Sequence, residues 1–168
     1  MVKLSAISIP KEIILTVALV GVAVIAPMFH SQLVTGMIVN AALFAAVTLV
    51  GFRAACAVAI IPSLIALGVG TLPAAMAAMV PYIMASNIAL VGIFALLRKT
   101  GYWLAAGVAI LSKFAILVLS ATAILTVITH GNISLALASM MGWPQLITAI
   151  MGAIAAWAVC KNIRIGKK

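Results

Sequence analysis

A single lysine lies in the middle of a long apolar stretch. Lys113 is near the centre of YWLAAGVAILSKFAILVLSATAIL, which covers residues 102–125. A lysine at the middle of a membrane helix costs about 2.5–3.5 kcal/mol on insertion scales. A carboxylate is the usual partner for such a charge. The chain has one acidic residue, Glu12, which begins a different apolar segment.

Three interpretations of Lys113 follow from this isolation. The side chain can extend along the helix and reach an interface with its ammonium. It can also bond to helix carbonyls for structural reasons. In the third interpretation it faces a polar cavity and meets an anionic or carbonyl-bearing ligand. The missing carboxylate favours the third, because the counter-charge then arrives with the ligand.

Other polar side chains interrupt the apolar segments. Gln32 and Asn40 are eight residues apart and can share one helix face, and a later segment carries Tyr82 and Asn87. Buried amides need hydrogen-bond partners, which a cavity with water or substrate would supply. Hydrogen bonds between helices are the alternative. We predict a substrate-binding site formed by Gln32, Asn40, Tyr82, Asn87 and Lys113, with Asn87 deeper than the first three.

Catalysis, metals and cofactors are not expected. His30 and His130 have no Asp, Glu or Cys nearby, so they make a poor metal set, and loop positions explain them better than axial haem ligation. The sequence has no phosphate-binding loop, no Ser-His-Asp set and no H-E-x-x-H. No acid in an apolar segment can carry a coupling proton. We therefore predict a non-enzymatic protein that binds a solute and depends on an ATP-hydrolysing partner for energy.

Composition identifies the kind of protein that holds these residues. Hydrophobic residues make up 67% of the 168 and charged residues 7%, against about 45–50% and about 25% in soluble domains. The long apolar runs do not alternate as barrel strands would. We predict an all-α integral membrane protein. The net charge of +9 does not indicate nucleic-acid binding, because the basic residues are scattered over helix ends.

Six membrane spans are predicted in one transmembrane domain, residues 1–168. A cleaved signal peptide is the alternative for the first, but a clear cleavage site is lacking. Every lysine and arginine except Lys113 falls on one side of the alternating topology. Both termini are therefore predicted to be cytoplasmic. The predicted spans are 13–29, 33–50, 54–68, 73–97, 102–129 and 144–160.

This outline resembles the S component, the substrate-capture subunit, of energy-coupling factor vitamin transporters. The resemblance covers nearly the whole chain and is carried by Gln32, Gly36 and Asn40, then by PSLIALGVGTLP (62–73) and by VPYI (80–83) with Asn87. It implies a multi-pass protein in a prokaryotic plasma membrane. It also implies an outward-facing pocket for a small vitamin-like or cofactor-precursor molecule. The implied partners are a transmembrane T component and two cytoplasmic ATPase subunits.

Two other functions remain open. One is a membrane anchor or assembly subunit of a larger complex, including a redox complex, in which Lys113 contacts a partner subunit or a quinone. The other is a stand-alone small transporter or channel. Proteins that co-purify with the chain would separate the three functions.

Overall fold

The computed structural model describes residues 10–70, 74–124 and 140–165, and within these ranges the chain is helical with no β-strand. Two short 3₁₀ segments, Ala26–Phe29 and Ala74–Met79, precede α2 and α4. Within these ranges, six α-helices have both ends described: α1 (Lys11–Ile25), α2 (Gln32–Leu49), α3 (Phe52–Gly68), α4 (Val80–Leu97), α5 (Tyr102–Ala123) and α6 (Trp143–Ile165).

The short turns between helices have clear local causes. His30 adopts a left-handed conformation with φ 51°, and the next residue, Ser31, caps α2 by accepting a hydrogen bond from Val34 N at 3.5 Å. Gly51 and Gly101 precede α3 and α5 with φ 134° and 133°, which a side chain would strain. Such tight turns make consecutive helices antiparallel neighbours.

The helices form one bundle with two distinct ends. The start of α1 and the α2–α3 turn line one groove, through Glu12 and Gly51. Trp157, near the end of α6, packs against Trp103 at the start of α5 with the rings tilted by 42° and 5.7 Å between their centroids. We call this the closed end, and the end with the α1–α2 turn the cavity end. The first helix thus begins, and the last ends, at the closed end.

Helices α2 and α6 run side by side in the same direction and make the most extensive contact in the bundle. Small residues allow this approach. A Cβ placed on Gly152 would lie 2.6 Å from the Cβ of Asn40 and 2.8 Å from the backbone nitrogen of Ala41. A Cβ on Gly36 would lie 2.8 Å from the side chain of Thr148. These glycines therefore set the distance between the two helices.

Three aromatic rings fill the core toward the closed end, and we call them the aromatic layer. Phe44 of α2 and Phe94 of α4 meet edge to face, 4.9 Å between centroids. Tyr102 of α5 meets Phe94 in the same way at 5.2 Å. Its hydroxyl donates a hydrogen bond of 2.7 Å to the carbonyl of Ala153 in α6. The aromatic layer thus connects four helices.

Length and composition confirm a helical, multi-pass membrane protein. Among the described residues, five helical segments of 18 to 22 residues are long and apolar enough to cross a membrane, the first being α1 together with the 3₁₀ segment that follows it. Helix α3, with 17 residues, is shorter than these segments. The described helices coincide closely with the six predicted segments, while residues 125–129 of the fifth and residue 73 of the fourth lie outside the described part. A sixth crossing by α3 and the cytoplasmic location of both termini stay predictions.

Candidate functional site

Three polar side chains meet inside the bundle at one point, and we call them the polar layer. The Nζ of Lys113 in α5 donates hydrogen bonds to the Oδ1 atoms of Asn40 in α2, at 2.6 Å, and Asn87 in α4, at 2.8 Å. The exposed fractions of the lysine and the two asparagines are 4%, 1% and 3%. The lysine is thus buried and does not extend to an interface. Its partners are side-chain amides and not helix carbonyls.

The orientation of both amides is fixed by their own donor groups. Asn40 Nδ2 donates to the carbonyl of Gly36 at 2.8 Å and to Thr148 Oγ1 of α6 at 3.4 Å. Asn87 Nδ2 donates to the carbonyl of Ala59 in α3 at 3.4 Å. Because the amide nitrogens are engaged in this way, both oxygens point at the lysine. The polar layer therefore joins five helices.

The charge on Lys113 has no carboxylate side chain to neutralise it. Glu12, the only acid in the chain, is exposed and lines a separate groove with Arg53 at the closed end. Two amide oxygens stabilise an ammonium with partial charges but leave its net charge in place. An ammonium also has three N–H donors, of which the asparagines use two. The ammonium therefore keeps one donor and one positive charge.

The polar layer lies in the wall of a cavity of about 350 Å³. Small-molecule sites are usually about 300–1,000 Å³, so this one suits a compact solute. Most of the wall area is apolar, and polar side chains are interspersed in it. The lining residues are Ala23, Pro27, His30, Ser31, Gln32, Thr35, Gly36, Val39, Asn40, Pro62, Ser63, Ala66, Ile83, Asn87, Lys113, Met140 and Gln145.

Hydrogen bonds hold the rim of the cavity together. Gln32 Nε2 donates to the carbonyl of Met140 at 2.7 Å, and Gln145 Nε2 reaches the same oxygen at 3.3 Å. Thr35 Oγ1 donates to the carbonyl of Ala26 at 2.9 Å, which fastens the 3₁₀ segment to α2. The rim is thus built from the start of α2 and the chain leading into α6.

The predicted site residues are only partly brought together. Lys113, Asn40 and Asn87 are in direct contact, and Gln32 lines the same cavity. Asn87 is no deeper than Asn40, since both bind one Nζ. Tyr82 is 40% exposed and absent from the cavity lining. The reason is helical phase, because residues 83 and 87 share a face of α4 that residue 82 does not.

The histidines differ in position. His30 is exposed in the α1–α2 turn and contributes to the cavity lining, whereas His130 lies outside the described residues. Within the ranges that the structure describes, no three His, Cys, Asp or Glu side chains are grouped so that they could hold a metal ion. The site's chemistry is that of hydrogen bonding and one positive charge.

The contribution of α6 was not predicted from the sequence. Thr148 of α6 accepts from Asn40, and Gln145 of α6 forms part of the rim with Met140, which precedes the helix. A signal was present in PQLITAIMG, where Gln145, Thr148 and Gly152 are spaced by three and four residues and so share a helix face.

Comparison with protein-family models, with curated proteins and with solved structures finds no match to this chain. The class of protein is therefore defined by the fold and site themselves. It is a multi-pass helical membrane protein with a solute-sized cavity and a buried lysine in the cavity wall.

Proposed function

We propose that this protein is the substrate-binding membrane subunit of an energy-coupling factor type importer, its S component, in a prokaryotic plasma membrane. Its substrate is a small vitamin-like or cofactor-precursor molecule, and we further propose that it is anionic. The observation that carries the proposal is the Lys113–Asn40–Asn87 cluster in the wall of a cavity of about 350 Å³. A buried charge inside a membrane bundle is costly, and such residues commonly serve substrates or ions.

The proposed partners follow from what the chain lacks. Its sequence contains no phosphate-binding loop, and its one acid lies at the closed end of the bundle. A protein without a motor or a coupling carboxylate needs energy from another subunit. We propose a transmembrane T component and two cytoplasmic ATPase subunits in that role. In this arrangement the chain crosses the membrane six times, both termini are cytoplasmic, and the cavity end faces outward.

A second function is supported by the same contacts. Every amide nitrogen in the polar layer bonds to protein, and Lys113 bonds to both asparagines. A network of this kind can have a purely structural role, which is to hold helices together. In that case the chain is an anchor or assembly subunit of a larger complex, and the cavity holds lipid or water.

Affinity purification from native membranes, combined with mass spectrometry, tests the proposal. We expect ATPase and T-component subunits to co-purify and a small organic solute to be released on denaturation. Redox subunits and no released solute would contradict the proposal and support the anchor. A cysteine-free variant with single cysteines introduced at Ser31 or Lys161 adds a test of orientation, since the two positions should label from opposite faces.

A further inference from the structure

We infer that the cavity selects a small monocarboxylate, with the carboxylate against the Lys113 ammonium and an apolar body against the walls. This inference rests on the proposed function and names the substrate class of that site. It can fail while solute binding itself stands.

The charge of the cavity wall favours an anion. Among the lining residues Lys113 is the only lysine or arginine and no acid is present, while His30 lies at the exposed turn. A cationic solute would meet the buried ammonium without a neighbouring carboxylate. A neutral solute would leave the ammonium's charge uncompensated. One carboxylate neutralises it, and paired charges are much cheaper to bury than isolated ones.

The number of available donors favours a carboxylate over a phosphate. Asn40 uses both of its N–H groups, on Gly36 and Thr148, and Asn87 uses one of its two on Ala59, so the two amides leave at most one neutral N–H for a solute. The lysine alone supplies a charged donor, with one N–H beyond the two that bond to the asparagines. A phosphate group carries up to two charges and usually takes several strong donors. A single charged donor and a single positive charge match a carboxylate better.

The rest of the wall suits an apolar body. Beyond the polar layer most of the lining area is apolar, and it comes from α1 to α4, from the first 3₁₀ segment and from the chain before α6. The apolar side chains are Ala23, Pro27, Val39, Pro62, Ala66, Ile83 and Met140. A solute with one charged end and an apolar or aromatic body would match this division. The polar rim residues Gln32 and Gln145 would then contact the other end of the solute.

Matched pairs of probes test the inference on the purified full chain in detergent. The pairs are nicotinate with nicotinamide, benzoate with benzamide and hexanoate with hexanamide, each titrated by calorimetry and by thermal stability. We expect the carboxylate of at least one pair to bind roughly 10-fold or more tightly than its amide, as a charge-assisted hydrogen bond would give.

Asn87→Asp is the matching variant, because it supplies a carboxylate from the protein. The hydrogen bond from Asn87 Nδ2 to the carbonyl of Ala59, which the variant removes, is long at 3.4 Å, so removing it should cost little stability. The Asp carboxylate should pair with Lys113 in place of the solute's carboxylate. The preference for the carboxylate probe over its amide should therefore fall to within about twofold. Lys161→Met, which removes a positive charge at the closed end, should leave the preference unchanged.

The outcomes separate the two claims. Equal binding of carboxylates and amides, or an unchanged preference in Asn87→Asp, overturns the inference. If no probe binds, the charge of the solute released from the native protein decides the matter. A neutral or cationic solute overturns the inference, while the proposed function stands. If no solute is released and no probe binds, both claims fall.

Discussion

Helices α2, α4 and α5 meet twice, once through the aromatic layer and once through the polar layer. In the first, Phe44, Phe94 and Tyr102 pack edge to face, and the tyrosine hydroxyl bonds to α6. In the second, Asn40 and Asn87 bond to Lys113, and Asn40 bonds to α6. The same helices therefore use dispersion at one level and hydrogen bonds at another.

The difference lies in what each layer leaves incomplete. The aromatic layer needs nothing else, since its rings fill the core and its one hydroxyl has a partner. The polar layer keeps an uncompensated charge and borders a cavity. Proteins break local rules of stability chiefly at functional sites. Variants of the aromatic layer should therefore change stability alone, whereas variants of the polar layer should change solute binding first.

Phe94→Ala should have the largest effect on stability. We expect the free energy of unfolding to fall by roughly 2–4 kcal/mol, because the variant leaves a cavity between Phe44 and Tyr102. The loss is smaller than in a soluble protein, because the side chain of the unfolded protein lies in detergent or lipid and not in water. Unfolding in mixed detergent measures this loss. Leu96→Ala, on the exposed side of the same helix, is the control and should be nearly neutral. A loss of solute affinity in folded Phe94→Ala protein would contradict the separation of the layers.

Gly152→Ala should have the second-largest effect on stability, and it should also weaken solute binding. The added methyl group would lie 2.6 Å from the Cβ of Asn40, so α2 must shift away from α6 and carry the amide away from Lys113. We expect a loss of roughly 2–3 kcal/mol, as for overpacking against backbone. Gly107→Ala is the matched control, since nothing lies within 4 Å of a Cβ there. Similar results for the two variants would mean that the close helix contact does not position Asn40.

Asn40→Ala should lower the free energy of unfolding less than Gly152→Ala does, but it should lower solute affinity more. The variant removes one acceptor from Lys113 and one donor to Gly36, and we expect a loss of roughly 1–2 kcal/mol, which exceeds that of a solvated hydrogen bond. The exposed Asn162→Ala is the control. Calorimetry with the best-bound probe should show affinity reduced in the folded fraction. Unchanged affinity would assign Asn40 a structural role.

Tyr102→Phe should have the smallest effect. It keeps the ring of the aromatic layer and removes only the hydrogen bond to the carbonyl of Ala153. We expect about 0.5–1.5 kcal/mol lower stability and unchanged probe affinity. A change in affinity would show that the two layers are coupled through α6 and do not act separately.

The sequence allowed the helices to be predicted well, because apolar segments and turn glycines are local signals. It also identified Lys113, Asn40 and Asn87 one by one, as polar residues in apolar helices. Their mutual contact could not be read from the sequence, since it depends on the rotation and depth of three separate helices. Tyr82 illustrates this limit, because a rotation of one residue along α4 places it on the exposed side.

The contribution of α6 was harder to predict. Thr148 matters through its contact with α2, and that contact depends on the glycines at 36 and 152. Small residues are frequent throughout this alanine-rich chain, so their positions alone did not identify the closest pair of helices.

The contacts of Lys113 determine how its removal should affect stability. A gain in stability from losing a buried charge is offset by two amide oxygens that lose their donor.

The most direct test of whether the polar layer binds substrate is the amount of solute that Lys113→Met retains after purification. Lys161→Met is the matched control, because it removes the same charge from an exposed site beside Trp157. Quantitative mass spectrometry of the denatured proteins should find solute in the wild type and in Lys161→Met and almost none in Lys113→Met. Thermal unfolding should place the stability of solute-free Lys113→Met within about 2 kcal/mol of the solute-free wild type, because the two opposing terms are of similar size. Equal retention of solute by folded Lys113→Met would contradict the assignment of the polar layer to substrate binding.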